Sequence, residues 1–178
     1  DEIDGGVNGR IDFDLAHELA AFAAAGYRVN PESASTPGAV AAAVSRPLRH
    51  TLDASAGLSR DVGLLRLGVT GALTRQTYED AELSDGTTVS QRERDSTLAT
   101  ATLRAGYAVS PALIPFAEAE IGRRFYDQKL DNSGYARSAD RYALRGGVEL
   151  DLGEKLRGEI AAGWLSERPD DDRLAAVS

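Results

Sequence analysis

The stretch TLATATLRAGYAV (residues 97–109) is followed by the turn Ser110-Pro111-Ala112 and by FAEAEIGRRFY (residues 116–126), and this segment decides the fold. Apolar and polar residues alternate through both stretches, so one face of each strand is apolar and the other carries threonine, glutamate and arginine. Alternation over about ten residues on each side of a short turn is typical of a transmembrane β-hairpin.

The same unit occurs four times along the chain, which predicts an all-β, antiparallel, up-and-down transmembrane β-barrel with about eight strands. The predicted strands are Asn8 to Ala16, Ala20 to Val29, Arg49 to Ser59, Leu65 to Tyr78, Thr97 to Val109, Phe116 to Tyr126, Arg141 to Leu152 and Leu156 to Glu167. Short turns are predicted at His17-Glu18, Asp61-Val62-Gly63, Ser110-Pro111-Ala112 and Gly153-Glu154. They alternate with three long connections, Asn30 to Pro47, Glu79 to Ser96 and Asp127 to Asp140. We expect residues 1–178 to form one barrel unit of four hairpins without a separate soluble domain.

Composition fits this interpretation and excludes some others. The chain has a net charge of −8, no cysteine and no apolar run long enough for a spanning helix. A mean hydropathy of −0.30 is compatible with a barrel, because its membrane signal lies in the alternation. The acidic balance, with Lys129 and Lys155 as the only lysines, argues against a nucleic-acid partner. The absence of cysteine suits an oxidising compartment and suits the cytosol equally. No signal peptide precedes Asp1, so we expect a mature or trimmed chain.

The polar face supplies the candidate functional residues. Ten charged side chains are predicted to line the lumen: Asp53, Arg66, Arg104, Glu118, Glu120, Arg124, Arg145, Glu149, Arg157 and Glu159. In an open pore such a ladder would set ion preference through a transverse field. In a narrow barrel the same residues would form interior salt bridges that exclude water. The strand number decides between the two, so both remain open.

Aromatic residues on the apolar face predict a girdle at the lipid headgroups, formed by Tyr27, Tyr107, Phe125, Tyr142 and Trp164. Tyr107, with Phe13, is expected near the short-turn end and the other four near the long-loop end. Arg75 and Arg123 also fall on the apolar face. We expect them close to the outer rim, either pairing with lipid phosphates or marking a bulge that swaps the facing.

The two histidines do not predict a catalytic or metal site. His17 and His50 lie on different strands with no cysteine beside them, so we expect neither a metal nor a cofactor. We interpret His17 as a solvated turn residue and His50 as an interfacial one. The residue two beyond His50 is Leu52, which rules out the histidine–serine spacing of outer-membrane phospholipases. Outer-membrane proteases pair acidic residues with a histidine at the rim. Acidic residues such as Glu79 have no histidine beside them in this sequence. The protein is therefore not expected to be an enzyme.

The order of turns also predicts where the chain ends. If the first strand leads into a short periplasmic turn, both Asp1 and Ser178 lie outside the cell. Because complete single-chain barrels of this class end in the periplasm, we expect this chain to be an internal segment of a larger barrel.

Three stretches carry a resemblance to a known family: residues 116–127 (FAEAEIGRRFYD), 141–153 (RYALRGGVELDLG) and 156–165 (LRGEIAAGWL). Together they resemble the putative β-barrel porin 2 family of Gram-negative outer membranes, over most of Leu98 to Asp172 and more loosely before it. The resemblance implies an outer-membrane barrel of more than eight strands, with members sometimes associated with surface polysaccharide. It implies no catalytic residue.

These observations lead us to expect a porin-like passive channel for small solutes or ions in the bacterial outer membrane. Its expected partners are outer-membrane lipid and lipopolysaccharide, together with a surface polysaccharide. The alternative is a non-conducting barrel scaffold whose acidic, flexible extracellular loops bind a surface polysaccharide or a protein partner. A soluble lipocalin-like barrel is disfavoured, because it would need large apolar residues inside and polar ones outside.

Overall fold

A computed structural model describes residues 4–16, 18–32, 47–151, 153 and 156–177. The described part of the chain contains eight long strands, two short ones and a single-turn 3-10 helix at Arg92–Arg94. The strands are β1 (Gly5–Ala16), β2 (Leu19–Pro31), β3 (Leu48–Val62), β4 (Leu65–Tyr78), β5 (Ala81–Glu82), β6 (Thr88–Val89), β7 (Ser96–Tyr107), β8 (Leu113–Tyr126), β9 (Ala139–Asp151) and β10 (Arg157–Pro169). Within this part of the chain, no helix has the length and apolar character needed to cross a membrane.

The eight long strands form one antiparallel meander in the order β1-β2-β3-β4-β7-β8-β9-β10. Each of these eight strands is hydrogen-bonded to the long strand that precedes or follows it along the chain. The alternation of short turns and long connections predicts this order. Among the described residues β1 and β10 lie at the two edges and do not pair with each other, so the sheet is open. The predicted all-β, antiparallel, up-and-down class with about eight strands is confirmed.

The register keeps the two faces of the sheet separate from edge to edge. Leu103 pairs with Val69 on one side and Ala119 on the other, whereas the next residue, Arg104, pairs with Gly68 and Glu118. The described pairing shows one register shift, between Asp14 and Ala16 in β1. Because side chains alternate with a period of two, an unshifted register leaves one continuous apolar face and one continuous polar face.

The apolar face is not covered by any other layer of the described chain. Leu103 is 63% exposed, Ile121 61% and Ile160 72%, whereas the buried apolar side chains are few and include Ile114 and Phe116. A water-soluble sheet of this size would bury such a face against a second layer. An exposed apolar face on an antiparallel meander is what a lipid environment accommodates.

The predicted strand bounds differ most, by three residues, at the start of β1, at the end of β3 and at the start of β8. Strand β8 begins at Leu113 rather than at Phe116, and it contains Pro115. Pro115 pairs with Val148 of β9, but the pairing between β7 and β8 ends at Gly106 and Phe116. The missing N–H of the proline is tolerated because this end of β8 has a ladder on one side only.

Two described turns refine the predictions. Asp61 and Val62 belong to β3, and the turn consists of Gly63 and Leu64, with Gly63 at φ 61°. The β7–β8 turn occupies residues 108–112, with Ser110 bridged to Leu113. His17, Glu154 and residues 33–46 of the first long connection lie outside the described residues.

The second long connection contains a small hairpin where the sequence predicts only a loop. β5 and β6 pair through Ala81↔Val89 and Glu82↔Thr88, with Gly86 in the turn at φ 81°. Gln91, which follows this hairpin, is 2% exposed and donates its side-chain amide to the Glu79 carbonyl at 2.8 Å. The connection is therefore held against the end of β4.

Candidate functional site

All ten charged residues predicted for the lumen lie on the same face of the sheet, opposite the apolar face. The cross-strand rows show this, since Arg104, Glu118 and Arg145 are successive partners on β7, β8 and β9. The remaining seven belong to the same alternate set of cross-strand rows: Asp53, Arg66, Glu120, Arg124, Glu149, Arg157 and Glu159. Their role in lining a lumen stays a prediction.

The densest group on this face is an ion cluster toward the short-turn end, centred on Arg104. Its guanidinium lies 3.4 Å from Glu118, 3.5 Å from Glu149 and 2.7 Å from Glu159. Arg145 lies 3.2 Å from Glu118 and 3.4 Å from Glu159. The Arg104 side chain is 29% exposed and that of Glu118 19%. Pairs this close and this shielded from water interact more strongly than surface ion pairs.

The ring of Phe116, which is not among the predicted site residues, lies beneath this cluster. Phe116 is 7% exposed and points to the charged face, with the Arg104 guanidinium carbon 3.6 Å from its ring centroid and that of Arg145 at 5.6 Å. A guanidinium stacked on a ring gains cation–π attraction and loses mobility. The sequence could have placed Phe116 on this face, because Phe116, Glu118 and Glu120 occupy alternate positions of β8.

A second ion cluster lies on the same face toward the long-loop end. Arg141 contacts Glu120 at 2.8 Å and Glu167 at 3.7 Å, and Arg124 contacts Glu167 at 2.8 Å. Arg141 and Glu167 were not among the predicted site residues. They are functional candidates because they pair with two that were.

The other predicted residues on this face have smaller sets of partners. Asp53 accepts a hydrogen bond from the Thr74 hydroxyl at 2.8 Å. Arg157 contacts Asp151 at 3.1 Å, and Arg66 lies 4.0 Å from Glu149, at the edge of the Arg104 cluster.

Across β2, β3 and β4 the side chains on the polar face near mid-strand are uncharged, and most of them are small. Phe22 lies opposite Gly57, and Gly57 lies opposite Thr70. A β-carbon on Gly57 would come within 2.5 Å of the Phe22 ring, so glycine is what lets this ring lie against β3. Phe22 also contacts Arg10 of β1, whose guanidinium carbon is 4.1 Å from the ring centroid.

The five girdle aromatics all lie on the apolar face, and Tyr107 is the last residue of β7, at the short-turn end as predicted. Tyr27, Phe125 and Tyr142 are near the long-loop ends of their strands. Trp164 is farther from the rim than predicted, because β10 continues to Pro169 and the indole lies opposite Leu144 near mid-strand. A role at the headgroups stays a prediction for all five.

Arg75 and Arg123 project from the apolar face as predicted, but no bulge is present at either position. Carboxylates at the ends of strands neutralise both. Arg75 forms a two-pronged contact with Asp127, and Arg123 contacts Asp140 and Asp170, each at 2.7 Å. Hydrogen bonds from Arg75 hold the pKa of Asp127 below its ordinary value.

His50 is bound through both ring nitrogens, on the apolar face at the long-loop end. Its Nδ1 lies 2.6 Å from the Tyr27 hydroxyl, and its Nε2 lies 3.2 Å from Glu79. The structure therefore joins Glu79 to a histidine that is distant from it in sequence. Glu79 also accepts a hydrogen bond from the Leu48 backbone N–H at 3.3 Å, so the array ties the start of β3 to the end of β4.

The described long connections contact each other rather than standing apart. Asp131 accepts backbone hydrogen bonds from Ser133 and Tyr135, which hold its pKa below the ordinary value together with Arg137. The Asn132 N–H donates to Glu93 of the preceding connection at 2.8 Å. Arg173, beyond β10, donates to the Gly134 carbonyl at 2.8 Å. The rim is thus a connected polar surface.

The described residues contain no group of three or more histidine, aspartate or glutamate side chains that could hold a metal ion. An antiparallel meander with an exposed apolar face, a charged opposite face and loops joined at one end defines a membrane β-barrel protein. The sequence model of the family Putative beta-barrel porin 2 matches residues 1–178, and the chain belongs to this family. No curated protein and no solved structure matches the chain.

Proposed function

We propose that this chain forms part of the wall of a passive, porin-like channel for small solutes or ions in the bacterial outer membrane. The observation that carries the proposal is the separation of the sheet into a lipid-compatible face and a face lined with ion pairs. Membership of a porin family supports it.

The charged face is suited to contact water rather than a dry core. The Arg145 side chain is 44% exposed and that of Glu149 40%, although both belong to the Arg104 cluster. Charges left this accessible keep part of their hydration, which a passing ion or solute can share. Acidic and basic groups alternate in the cluster, so the wall presents local fields of both signs rather than one strong charge.

No step of this function requires catalysis. The side chains bind water and ions transiently, and the Phe116 stack keeps the Arg104 guanidinium against the wall. The expected partners are outer-membrane lipid and lipopolysaccharide around the apolar face, and we propose the outer membrane of a Gram-negative bacterium as its location.

The test uses the intact gene product purified from membranes, examined by heat-modifiable gel migration and by conductance in planar bilayers. We expect heat-modifiable migration together with stable, ion-conducting steps. A protein that stays soluble without detergent would contradict the membrane assignment, and heat-modifiable migration with silent bilayers would contradict the channel.

A second function is favoured by one observation, the contacts that join the rim connections. A connected rim could serve as a fixed binding surface for a surface polysaccharide or a protein, with the barrel as a non-conducting scaffold. Replacing residues 127–138 by a short glycine-serine linker separates the two functions: the scaffold predicts lost ligand binding in a protein that never conducts, whereas the channel predicts retained conductance.

A further inference from the structure

The apolar face carries a groove toward the short-turn end of β3, β4, β7 and β8. Its floor includes Ala105 and Ala117, its walls include Leu67 and Leu103, and its volume is about 580 Å³. The groove forms because small residues on β7 and β8 follow the larger Leu67 in the same cross-strand row. A trough of this kind accepts a flexible hydrocarbon chain better than a smooth surface does, since more of the chain is in van der Waals contact.

Three charged residues line the same groove, and of these only Arg60 directs its side chain to the apolar face, since Arg104 and Glu118 belong to the polar face. Arg60 is on the apolar face, as the partner of Leu19 on β2 and of Leu67 on β4. It has no ion pair or hydrogen bond from its side chain within the described residues. Arg75 and Arg123, two arginines on this face near the long-loop end, are each neutralised by carboxylates. Arg60 therefore differs from both in having its charge available.

The depth of Arg60 fits the headgroup region. The next outward row toward the turns contains Val62, Leu65 and Tyr107. Tyrosine at the end of a spanning strand marks the boundary between hydrocarbon and headgroups. A guanidinium at this boundary can reach lipid phosphate while its methylene stem stays on the apolar surface.

We propose that Arg60 and the adjoining groove bind one anionic glycerophospholipid, with the phosphate on the guanidinium and an acyl chain over Ala105 and Ala117. The inference rests on the membrane placement in the proposed function. Charge complementarity selects this occupant, because an unpaired guanidinium at the end of an apolar trough matches a molecule with an anionic head and a hydrocarbon tail. In barrels of this class the short turns face the periplasm. In that orientation the groove meets the periplasmic leaflet, which is built of glycerophospholipid.

The test is native mass spectrometry of the intact gene product, titrated with phosphatidylglycerol or phosphatidylcholine after release from detergent. We expect one phosphatidylglycerol to be retained in preference to phosphatidylcholine. Arg60→Gln should weaken phosphatidylglycerol binding about fivefold, the effect of one basic residue near an anionic lipid surface, and leave phosphatidylcholine unchanged. Arg168→Gln is the matched control, since Arg168 is exposed and outward at the opposite end of the sheet.

A second pair of variants tests the groove. Ala117→Phe fills the floor and should weaken both lipids, whereas Ala101→Phe, outward on β7 but outside the groove, should weaken neither. Equal phosphatidylglycerol affinity in wild type and Arg60→Gln would overturn the site. If the wild type conducts in bilayers without preferring phosphatidylglycerol, the lipid site is wrong and the channel stands. A wild type that does not enter bilayers would overturn both.

Discussion

The polar face of the sheet has two halves that show two ways of building a barrel wall. Across β7 to β10, long charged side chains form two ion clusters, and Phe116 supports the larger one. Across β2 to β4 the same face is lined mid-strand by small side chains such as Ser55, Gly57 and Thr70. One half fixes its shape by electrostatic and cation–π contacts between side chains, the other by close packing of the Phe22 ring against Gly57. We therefore expect charge changes to matter in the first half and volume changes in the second.

The largest effect is expected from a substitution that tests whether the two halves lie on one water-facing side of the sheet, with lipid on the other side. Ile121→Arg places a charge in the middle of the apolar face and should destabilise the membrane-inserted protein by about 2–4 kcal/mol. Thr102→Arg is the control, because Thr102 is on an adjacent strand but on the polar face. Reversible unfolding from lipid vesicles in guanidinium measures both. Equal losses for the two variants would contradict the face assignment.

The next effect tests the charged half. Arg104→Met keeps much of the side-chain volume over Phe116 but leaves Glu118, Glu149 and Glu159 without their shared cation. Because the cluster is partly hydrated, we expect a loss of about 1–2 kcal/mol. The three carboxylates should also shift the reversal potential in a salt gradient toward cation selectivity. Thr70→Met, in the neutral half, should leave the selectivity unchanged. An unaltered reversal potential in Arg104→Met would remove the cluster from the conduction path.

A smaller effect tests the neutral half. Gly57→Ala introduces a β-carbon 2.5 Å from the Phe22 ring and 2.9 Å from the Val69 carbonyl, so the ring must shift. The ring can turn aside but the Val69 carbonyl belongs to the β4 backbone, so we expect at least about 1 kcal/mol of destabilisation. Gly71→Ala on the same sheet meets nothing within 4 Å and serves as the control. Full stability of Gly57→Ala would mean that close packing does not shape this half.

The smallest effect concerns the rim next to the two halves. The pKa of Asp127 is lowered by its hydrogen bonds with Arg75, so this contact stabilises the folded protein above the ordinary aspartate pKa. The contribution is lost as the pH falls through the lowered value. We expect proteolysis within residues 127–138 to increase at acidic pH in the wild type. In Asp127→Asn it should be high already at neutral pH, whereas Asp172→Asn should behave as wild type. Identical cleavage of all three proteins would show that the pair does not hold the rim.

Most of the fold could be predicted from sequence because its signal is local. Alternation with a period of two located all eight long strands, and it placed Arg104, Glu118 and Trp164 on the correct faces. Strand ends were less accurate: the predicted strand begins at Phe116 and excludes Pro115, although the proline is tolerated in β8 where the strand lacks a partner on one side.

The contacts of the candidate site could be predicted only in part, because they depend on register and on side-chain conformation. The sequence placed Glu118 and Arg145 on one face, but not Phe116 beneath Arg104 or Glu167 beside Arg124. His50 and Glu79 are distant in sequence and meet because β3 and β4 pair along their full length. Asp127 follows β8, and its partner Arg75 lies on β4, two strands from β8 in the sheet. Alternation within a strand carries no information on such a contact.

The most direct test of the central claim, that one face of this sheet meets water and the other lipid, is a cysteine scan along β7. The chain has no native cysteine, so single cysteines at residues 100–105 each report one position. In proteoliposomes, a charged thiol reagent should label cysteines at Thr100, Thr102 and Arg104 and should not label those at Ala101, Leu103 and Ala105. Labelling without a period of two, or labelling of the second set alone, would contradict a barrel whose charged face lines an aqueous channel.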